Sequence, residues 1–122
     1  MDKLSLEALL EYILESIRII RRRFITITAA DDFIDSDEGI DRLDAISMRL
    51  QAIGEALKNI HKTDSFLLAQ IADDAYWSQI IKLREIISHH YVDIDAEIIF
   101  DICANELDEL EEKVRSIKAL LN

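Results

Sequence analysis

The sequence predicts an all-α fold, an up-down bundle of four to five helices, and two observations support that prediction. The chain of 122 residues has no proline and two glycines, so it lacks the residues that build the many turns of a β protein. Half of its residues are hydrophobic, and they recur at spacings of three and four, which is typical of helices with one apolar face. We therefore expect a single domain over residues 1–122, with a core that needs no metal or disulfide.

One long apolar face predicts the first helix. Ser5 is expected to cap its N-terminus, and the helix is expected to end near Thr28. The segment 31–37 is polar and rich in capping residues, so we expect a connection there, with one short helical turn. Asp35 or Ser36 is expected to cap the second helix. The apolar face of the first helix consists of Leu6, Leu9, Leu10, Ile13, Leu14, Ile17, Ile20, Phe24 and Ile27.

The second helix is predicted by apolar residues at helical spacing from Ile40 to Ile60. Residues 61–64 are expected to end it, with His61 as a C-terminal cap. A short helical segment is then expected over residues 65–71. This order leaves no long linker and no low-complexity stretch between the second helix and the rest of the bundle.

A third helix is expected from Ala75 to the histidine pair, with Tyr76 and Trp77 in the core or at a dimer contact. Residues 91–95 are expected to lead the chain into one last helix. Cys103 lies among isoleucines, so we expect it to be a small core residue. The last helix alternates apolar steps of three and four, which is typical of a helix packed lengthwise on its neighbours. Those apolar positions are Leu107, Leu110, Val114, Ile117 and Leu121.

Charge restricts the function. A net charge of −11 repels the phosphate backbone of a nucleic acid over most of the surface, so RNA binding needs a local basic patch. Of the three consecutive arginines, Arg21 to Arg23, we expect one or two to line an RNA groove and the others to pair with acids. The candidates for the basic patch are Arg18, Arg21, Arg22 and Lys82. The N-terminus lacks a secretion-signal pattern, and no apolar run approaches the roughly 18 residues of a membrane span, so a cytoplasmic protein is expected.

A compact polar set follows the apolar part of the third helix: Arg84, then Ser88, His89, His90 and Tyr91. One interpretation is structural, with Arg84 paired to an acid and the histidines at a helix C-terminus, where cations are favoured. The other is chemical. RNA carries its own nucleophile, the 2′-hydroxyl, so cleavage needs a group that titrates near neutral pH, such as histidine, and a fixed cation for the phosphate, such as arginine. The residues alone leave both open.

Helical geometry adds a condition to the chemical interpretation. On an ideal helix Tyr91 lies within about 20° of Arg84 around the axis, whereas His89 lies about 140° away. Either the helix loosens at His89, or a second copy of the motif completes the site across a two-fold axis.

The pattern Arg84-x4-His89-x-Tyr91 resembles the R-x4-6-H motif of HEPN-domain ribonucleases, in its R-x4-H-x-Y form found in HepT toxins. The resemblance extends over nearly the whole chain. It includes three further segments, at residues 53–56, 77–81 and 91–98.

This resemblance implies a homodimeric HEPN bundle that cleaves RNA without a metal, with Arg84 and His89 as the catalytic pair. Ser88 and His90 would support them; His90 would either assist His89 or face solvent. Tyr91 would be the residue to which a minimal nucleotidyltransferase, the MNT antitoxin encoded by the neighbouring gene, transfers AMP from ATP. The added bulk and negative charge would block the place of the RNA phosphate. Glu85 stands where the family usually has Asn or Asp, and we expect it to pair with Arg84.

Two alternatives differ in class. The chain could be a non-catalytic accessory or substrate-binding subunit, or the antitoxin, of a nucleotidyltransferase, because an acidic surface suits docking onto a basic partner. A metal-binding bundle is disfavoured, because no histidine of the three follows a glutamate by three positions, as di-iron bundles require. We expect no metal and no cofactor.

Overall fold

The computed structural model describes residues 1–87 and 92–122, without the side chains of 92–94, and this part of the chain contains α-helix and no strand. The predicted all-α class is confirmed. No helix within the described ranges is long and apolar enough to cross a membrane. The five helices are α1 (Lys3–Phe24), α2 (Asp37–Ala69), α3 (Asp74–Ile87), α4 (Val92–Asn105) and α5 (Leu107–Leu120), with a 3-10 turn at Ala30–Phe33.

Helix α1 begins earlier and ends sooner than predicted. Asp2, not Ser5, is the N-cap, and its carboxylate accepts from the Ser5 amide at 2.8 Å, because a charged acceptor is available three residues before that amide. The helix ends at Phe24, not near Thr28. The Thr28 amide donates a hydrogen bond to the Asp32 carboxylate at 2.8 Å in place of a helical carbonyl. Ile27 is buried although it lies beyond the helix, so the apolar pattern continued past the helical segment.

Helix α2 begins as predicted with Ser36 as its N-cap, whose hydroxyl accepts from the Gly39 amide at 3.0 Å. The predicted break after Ile60 is confirmed as a kink at Asp64 (φ −153°, ψ 67°), where the Asp64 carboxylate accepts from the Leu67 amide and caps the last turns. The capping role expected for His61 is wrong. Its Nε2 lies 2.7 Å from the Asp74 carboxylate at the start of α3.

Helices α2 and α3 are antiparallel neighbours, since His61 meets Asp74 at one end and Gly54 meets Ile81 further along. Trp77 is buried between them, as expected, and its indole donates to the Leu68 carbonyl at 2.9 Å. This bond supplies a partner to the indole N–H inside an apolar core, where an unpaired donor would be costly.

The predicted last helix is two helices, because the backbone breaks at Glu106 (φ −115°, ψ −21°) between α4 and α5. The predicted apolar seam is nevertheless buried at Leu107, Leu110, Val114 and Ile117. Cys103 packs partly buried against the core, and burial raises the pKa of its thiol to about 12, so it stays protonated at neutral pH.

The two glycines of α2 give a matched stability test. A Cβ at Gly39 would overlap the Asp32 carbonyl, whereas a Cβ at Gly54 would make ordinary contacts of 3.4 Å or more. We expect Gly39→Ala to lower the free energy of unfolding by about 1–3 kcal/mol through overpacking. Gly54→Ala should leave it unchanged or raise it by up to about 1 kcal/mol, since alanine favours helix. Urea unfolding followed by circular dichroism measures both; equal effects would contradict this account of the packing.

Candidate active site

The site is built where α3 crosses α2 at Gly54. An added Cβ at Gly54 would lie in ordinary contact, 3.4 Å from the Arg84 Cβ and 3.4 Å from the Ile81 carbonyl oxygen, so the two helices are close enough here to suit a residue no larger than alanine. Ile87, one turn further along α3, is buried and fixes that face of the helix in the core. The close crossing places the aliphatic part of the Arg84 side chain against α2, within reach of Glu55, the residue that follows Gly54.

The guanidinium of Arg84 lies between two carboxylates. Its Nη1 donates to Glu55 Oε2 at 3.0 Å, and its Nη2 lies 3.8 Å from Glu85 Oε1. The Nε atom is buried and has no hydrogen-bond partner among the described residues. The side chain as a whole is 32% exposed. The predicted Arg84–Glu85 pairing is confirmed at this distance, and Glu55 is the closer partner.

Glu55 was not predicted from the sequence as a site residue. It belongs to the segment 53–56, whose only indicated significance was its similarity to the HepT family. The available signal was a glycine followed by an acid in the middle of a long helix, because a glycine there marks a close helix contact and the acid beside it faces the same neighbour.

The other members of the motif, Ser88, His89, His90 and Tyr91, lie outside the described residues. Their roles, and the expected loosening of the helix or two-fold completion at His89, therefore stay predictions.

Two of the predicted RNA-binding residues pair with acids. Arg18 makes a double hydrogen bond to Glu15 at 3.1 and 3.0 Å from its Nε, and this pairing holds the pKa of Glu15 below its usual value. Arg21 bridges α1 to α5 through Asp108 and Glu111, each at 2.5 Å. Both pairs occupy the side of α1 that faces α5, so these two arginines serve the bundle.

The remaining two predicted RNA-binding residues, Arg22 on α1 and Lys82 on α3, are exposed. Neither makes a hydrogen bond or ion pair with another residue in the described part of the chain. Their predicted contact with RNA remains open to experiment.

A cleft of about 400 Å³ lies between α3 and α4. Isoleucine and leucine side chains form its floor, and three acids stand around it, so it repels a phosphate chain. The lining consists of Gln79, Ile80, Leu83, Glu97, Ile98, Asp101, Ile102 and Glu106. Across residues 1–87 and 92–122, no group of three or more His, Cys, Asp and Glu side chains has the arrangement of a metal site.

Comparison with known protein families shows to which family the chain belongs. A family profile described as "Ribonuclease HepT-like" matches residues 13–117, which include the whole motif from Arg84 to Tyr91. The chain belongs to the HepT-like ribonuclease family. Its helical bundle agrees with the HEPN fold implied by the resemblance.

Relatives of this HepT-like chain carry ribonuclease names. It is 31% identical to "Putative RNase MJ0127" of Methanocaldococcus jannaschii, over 97% of this chain and 94% of the relative. It is 30% identical to "Putative RNase TTE0752" of Caldanaerobacter subterraneus, over 88% of this chain and 89% of the relative. No solved structure matches the chain at a significant level.

If this HepT-like chain cleaves RNA, the Arg84–Glu55 pair predicts that a substitution at Glu55 changes KM and kcat by different amounts. Glu55→Gln removes a negative charge beside the guanidinium and replaces the charged carboxylate acceptor that orients it with a weaker, neutral amide acceptor. We expect KM for RNA to fall, because one repulsive charge is gone, and kcat to fall about tenfold, because Arg84 is less well placed. Glu38→Gln, which breaks the surface pair with Arg42, is the matched control and should change neither. Unchanged kcat in the Glu55 variant would remove its positioning role.

Proposed function

We propose that this HepT-like protein is a metal-independent endoribonuclease, with Arg84 and His89 as its catalytic residues. The observation that carries the proposal is the partly exposed side chain of Arg84, whose guanidinium is held by Glu55 at the Gly54 crossing, at the head of the family motif. A planar fork of donors in a fixed place suits a phosphate whose charge grows in the transition state.

The chemistry needs no group beyond the RNA and the protein. His89 accepts the proton of the 2′-hydroxyl, whose oxygen attacks the adjacent phosphorus. The bond from phosphorus to the 5′-oxygen breaks, and that oxygen takes up a proton as it leaves. The products are a 2′,3′-cyclic phosphate and a 5′-hydroxyl end. Arg84 stabilises the charge on the non-bridging oxygens, while Ser88 and His90 support the pair.

The proposed active unit is a homodimer. On an ideal helix His89 points about 140° away from Arg84, so one copy alone presents the two side chains in different directions. A two-fold axis through the motif brings the arginine of one copy near the histidine of the other. This arrangement supports the assignment of both residues to a single site.

We further propose that a nucleotidyltransferase partner controls the enzyme as the antitoxin of a toxin–antitoxin module. The Tyr91 oxygen attacks the α-phosphorus of ATP, the bond to the β-phosphate bridge breaks, and pyrophosphate leaves. The attached AMP fills the site and repels the RNA phosphate by its own charge. The acid-rimmed apolar cleft between α3 and α4 supports a basic protein partner close to the motif.

The second candidate is a non-catalytic accessory subunit, or antitoxin, of the same nucleotidyltransferase. The same cleft favours it, because an apolar floor with an acidic rim is suited to protein docking and not to RNA. Glu85 is compatible with it as well, since a second carboxylate near Arg84 competes with phosphate.

Cleavage of labelled RNA in EDTA separates the two candidates. We expect wild type to cut RNA, His89→Ala to lose the activity, and Arg84→Ala to lose about 10²–10³-fold in kcat, the usual loss for a transition-state cation or donor. His61→Ala is the matched histidine control, because His61 pairs with Asp74 at the other end of α3, and it should cut like wild type. Cleavage that survives in the His89 variant would overturn the catalytic assignment.

The modification is tested by mass spectrometry after incubation with the nucleotidyltransferase of the neighbouring gene and ATP. We expect the mass of one AMP on Tyr91, loss of that mass in Tyr91→Phe, and suppressed RNA cleavage in the modified protein. Tyr12→Phe is the control, because the Tyr12 side chain is 41% exposed and therefore accessible to an unselective enzyme. AMP found on Tyr12 and not on Tyr91 would refute the proposed switch.

A further inference from the structure

Two stretches of this acidic chain carry no carboxylates. Between Glu15 and Asp31 the sequence has no carboxylate, and between Asp44 and Glu55 it has none either. The structure brings parts of these two stretches together, because Arg49 of α2 contacts Ser16 of α1. A groove of about 380 Å³ lies there between the two helices, which we call the α1–α2 groove. Its lining consists of Tyr12, Arg23, Ala45, Met48 and Arg49.

The two arginines of the α1–α2 groove differ from most arginines of the chain. Neither Arg23 nor Arg49 makes an ion pair anywhere in residues 1–87 and 92–122. Arg49 is held by neutral groups: its Nη1 lies 3.3 Å from the hydroxyl of the buried Ser16, and its guanidinium lies 5.8 Å from the centre of the Tyr12 ring. The arginines that do pair with carboxylates are Arg18, Arg21, Arg42, Arg84 and Arg115.

The Glu15 carboxylate lies near enough to Arg49 to be affected by its charge. Its pKa is lowered first by the hydrogen bond from Arg18 and further by the charges of Arg49 and Arg22. Because Glu15 is already hydrogen-bonded to Arg18, the guanidinium of Arg49 keeps its donors for a ligand.

The groove also offers apolar surface. Tyr12 is 41% exposed and Met48 is 72% exposed, so both are accessible to a ligand in the groove. An aromatic ring beside an arginine is the arrangement on which unpaired bases stack while the cation binds the neighbouring phosphate. Tyr12 and Arg23 are eleven residues apart on α1, about 16 Å along its axis, which is long enough for a few nucleotides.

The same surface continues toward Arg84. Met48 and Glu55 are seven residues apart on α2, so they lie about 20° apart around the axis and about 10.5 Å apart along it. Gln51 and Ala52, which lie between them on this side of the helix, are uncharged and partly exposed. Along α2, a strand that leaves the groove therefore meets no acidic side chain before Glu55, and Glu55 and Glu85 are the carboxylates beside the guanidinium of Arg84.

We propose that the α1–α2 groove is a binding site for single-stranded RNA, which delivers the strand to Arg84. Arg23 and Arg49 bind phosphates, and Tyr12, with Met48 beside it, stacks on an unpaired base. The delivery of the strand to Arg84 rests on the proposed ribonuclease function, whereas binding of RNA in the groove does not require cleavage. Arg49 was not among the basic residues expected from the sequence to bind RNA, and of those that were, Arg18 and Arg21 pair with acids.

The test measures binding without chemistry. The probe is a fluorescent 2′-O-methyl single-stranded oligonucleotide of mixed sequence, which lacks the attacking hydroxyl, titrated with protein at several salt concentrations. We expect the double variant Arg23→Gln/Arg49→Gln to bind at least about tenfold more weakly, with a salt slope reduced by about 0.7 for each phosphate that is no longer bound. Tyr12→Leu should weaken binding about tenfold without changing the slope.

The matched control is Arg42→Gln/Arg115→Gln, which removes the same charge from two acid-paired arginines outside the groove lining and should bind the oligonucleotide as wild type does. Circular dichroism verifies the fold of every variant, and Arg49→Lys keeps the charge if Arg49→Gln fails to fold. Equal affinity of the groove variants and the control, stronger binding of a duplex of equal length, or no binding by wild type would each overturn the proposal.

Cleavage separates this proposal from the ribonuclease assignment. If groove variants lose oligonucleotide binding while wild type cuts no RNA, the groove stands and the ribonuclease function fails. If wild type cuts RNA in a His89-dependent manner while the groove variants bind and cut like wild type, the function stands and the groove fails. With both correct, the groove variants raise KM for cleavage about tenfold and leave kcat unchanged.

Discussion

The close crossing of α2 and α3 at Gly54 is the constraint on which the candidate site depends. A side chain larger than a methyl group at this position would meet Arg84 and the backbone of α3, and α3 would have to move outward. The crossing fixes the direction from which Arg84 leaves its helix, and thereby the pairing with Glu55 at 3.0 Å. Exposed ion pairs contribute little to stability, so the value of this pair lies in orientation.

Charge is distributed so that each surface of the bundle suits one class of ligand. Acids pair with most arginines and surround the α3–α4 cleft, which excludes phosphate and favours a basic protein. The α1–α2 groove has two arginines without ion pairs in the described part of the chain and no acid of its own. In the proposed account, a chain with a net charge of −11 thus presents separate surfaces to RNA and to a protein partner. Arg84 lies near both, on the helix that borders the cleft and against the helix that borders the groove.

Sequence periodicity predicted the helical class, the capping of α2 by Ser36 and the break near residue 64, because these features depend on local spacing and capping chemistry. It misplaced the ends of α1 and joined α4 to α5. At those points a side chain three or four residues away, or a backbone turn at Glu106, competes with a continuing apolar pattern.

Arg84 was predictable from its motif. Glu55 was not, because the pair spans 29 positions and depends on the helix crossing. The same limit explains why Arg49 was overlooked, since its contact to Ser16 joins two helices 33 positions apart.

A double-mutant cycle on RNA cleavage tests the central claim, that Glu55 acts through Arg84. Single-turnover rates are measured for wild type, Glu55→Gln, Arg84→Ala and the double variant, with all proteins verified as folded. The account predicts that Glu55→Gln lowers the rate in the wild-type background and has no further effect once Arg84 is alanine, since the acceptor then has nothing to orient. Additive effects of the two substitutions, or a rate that does not depend on Arg84, would contradict it.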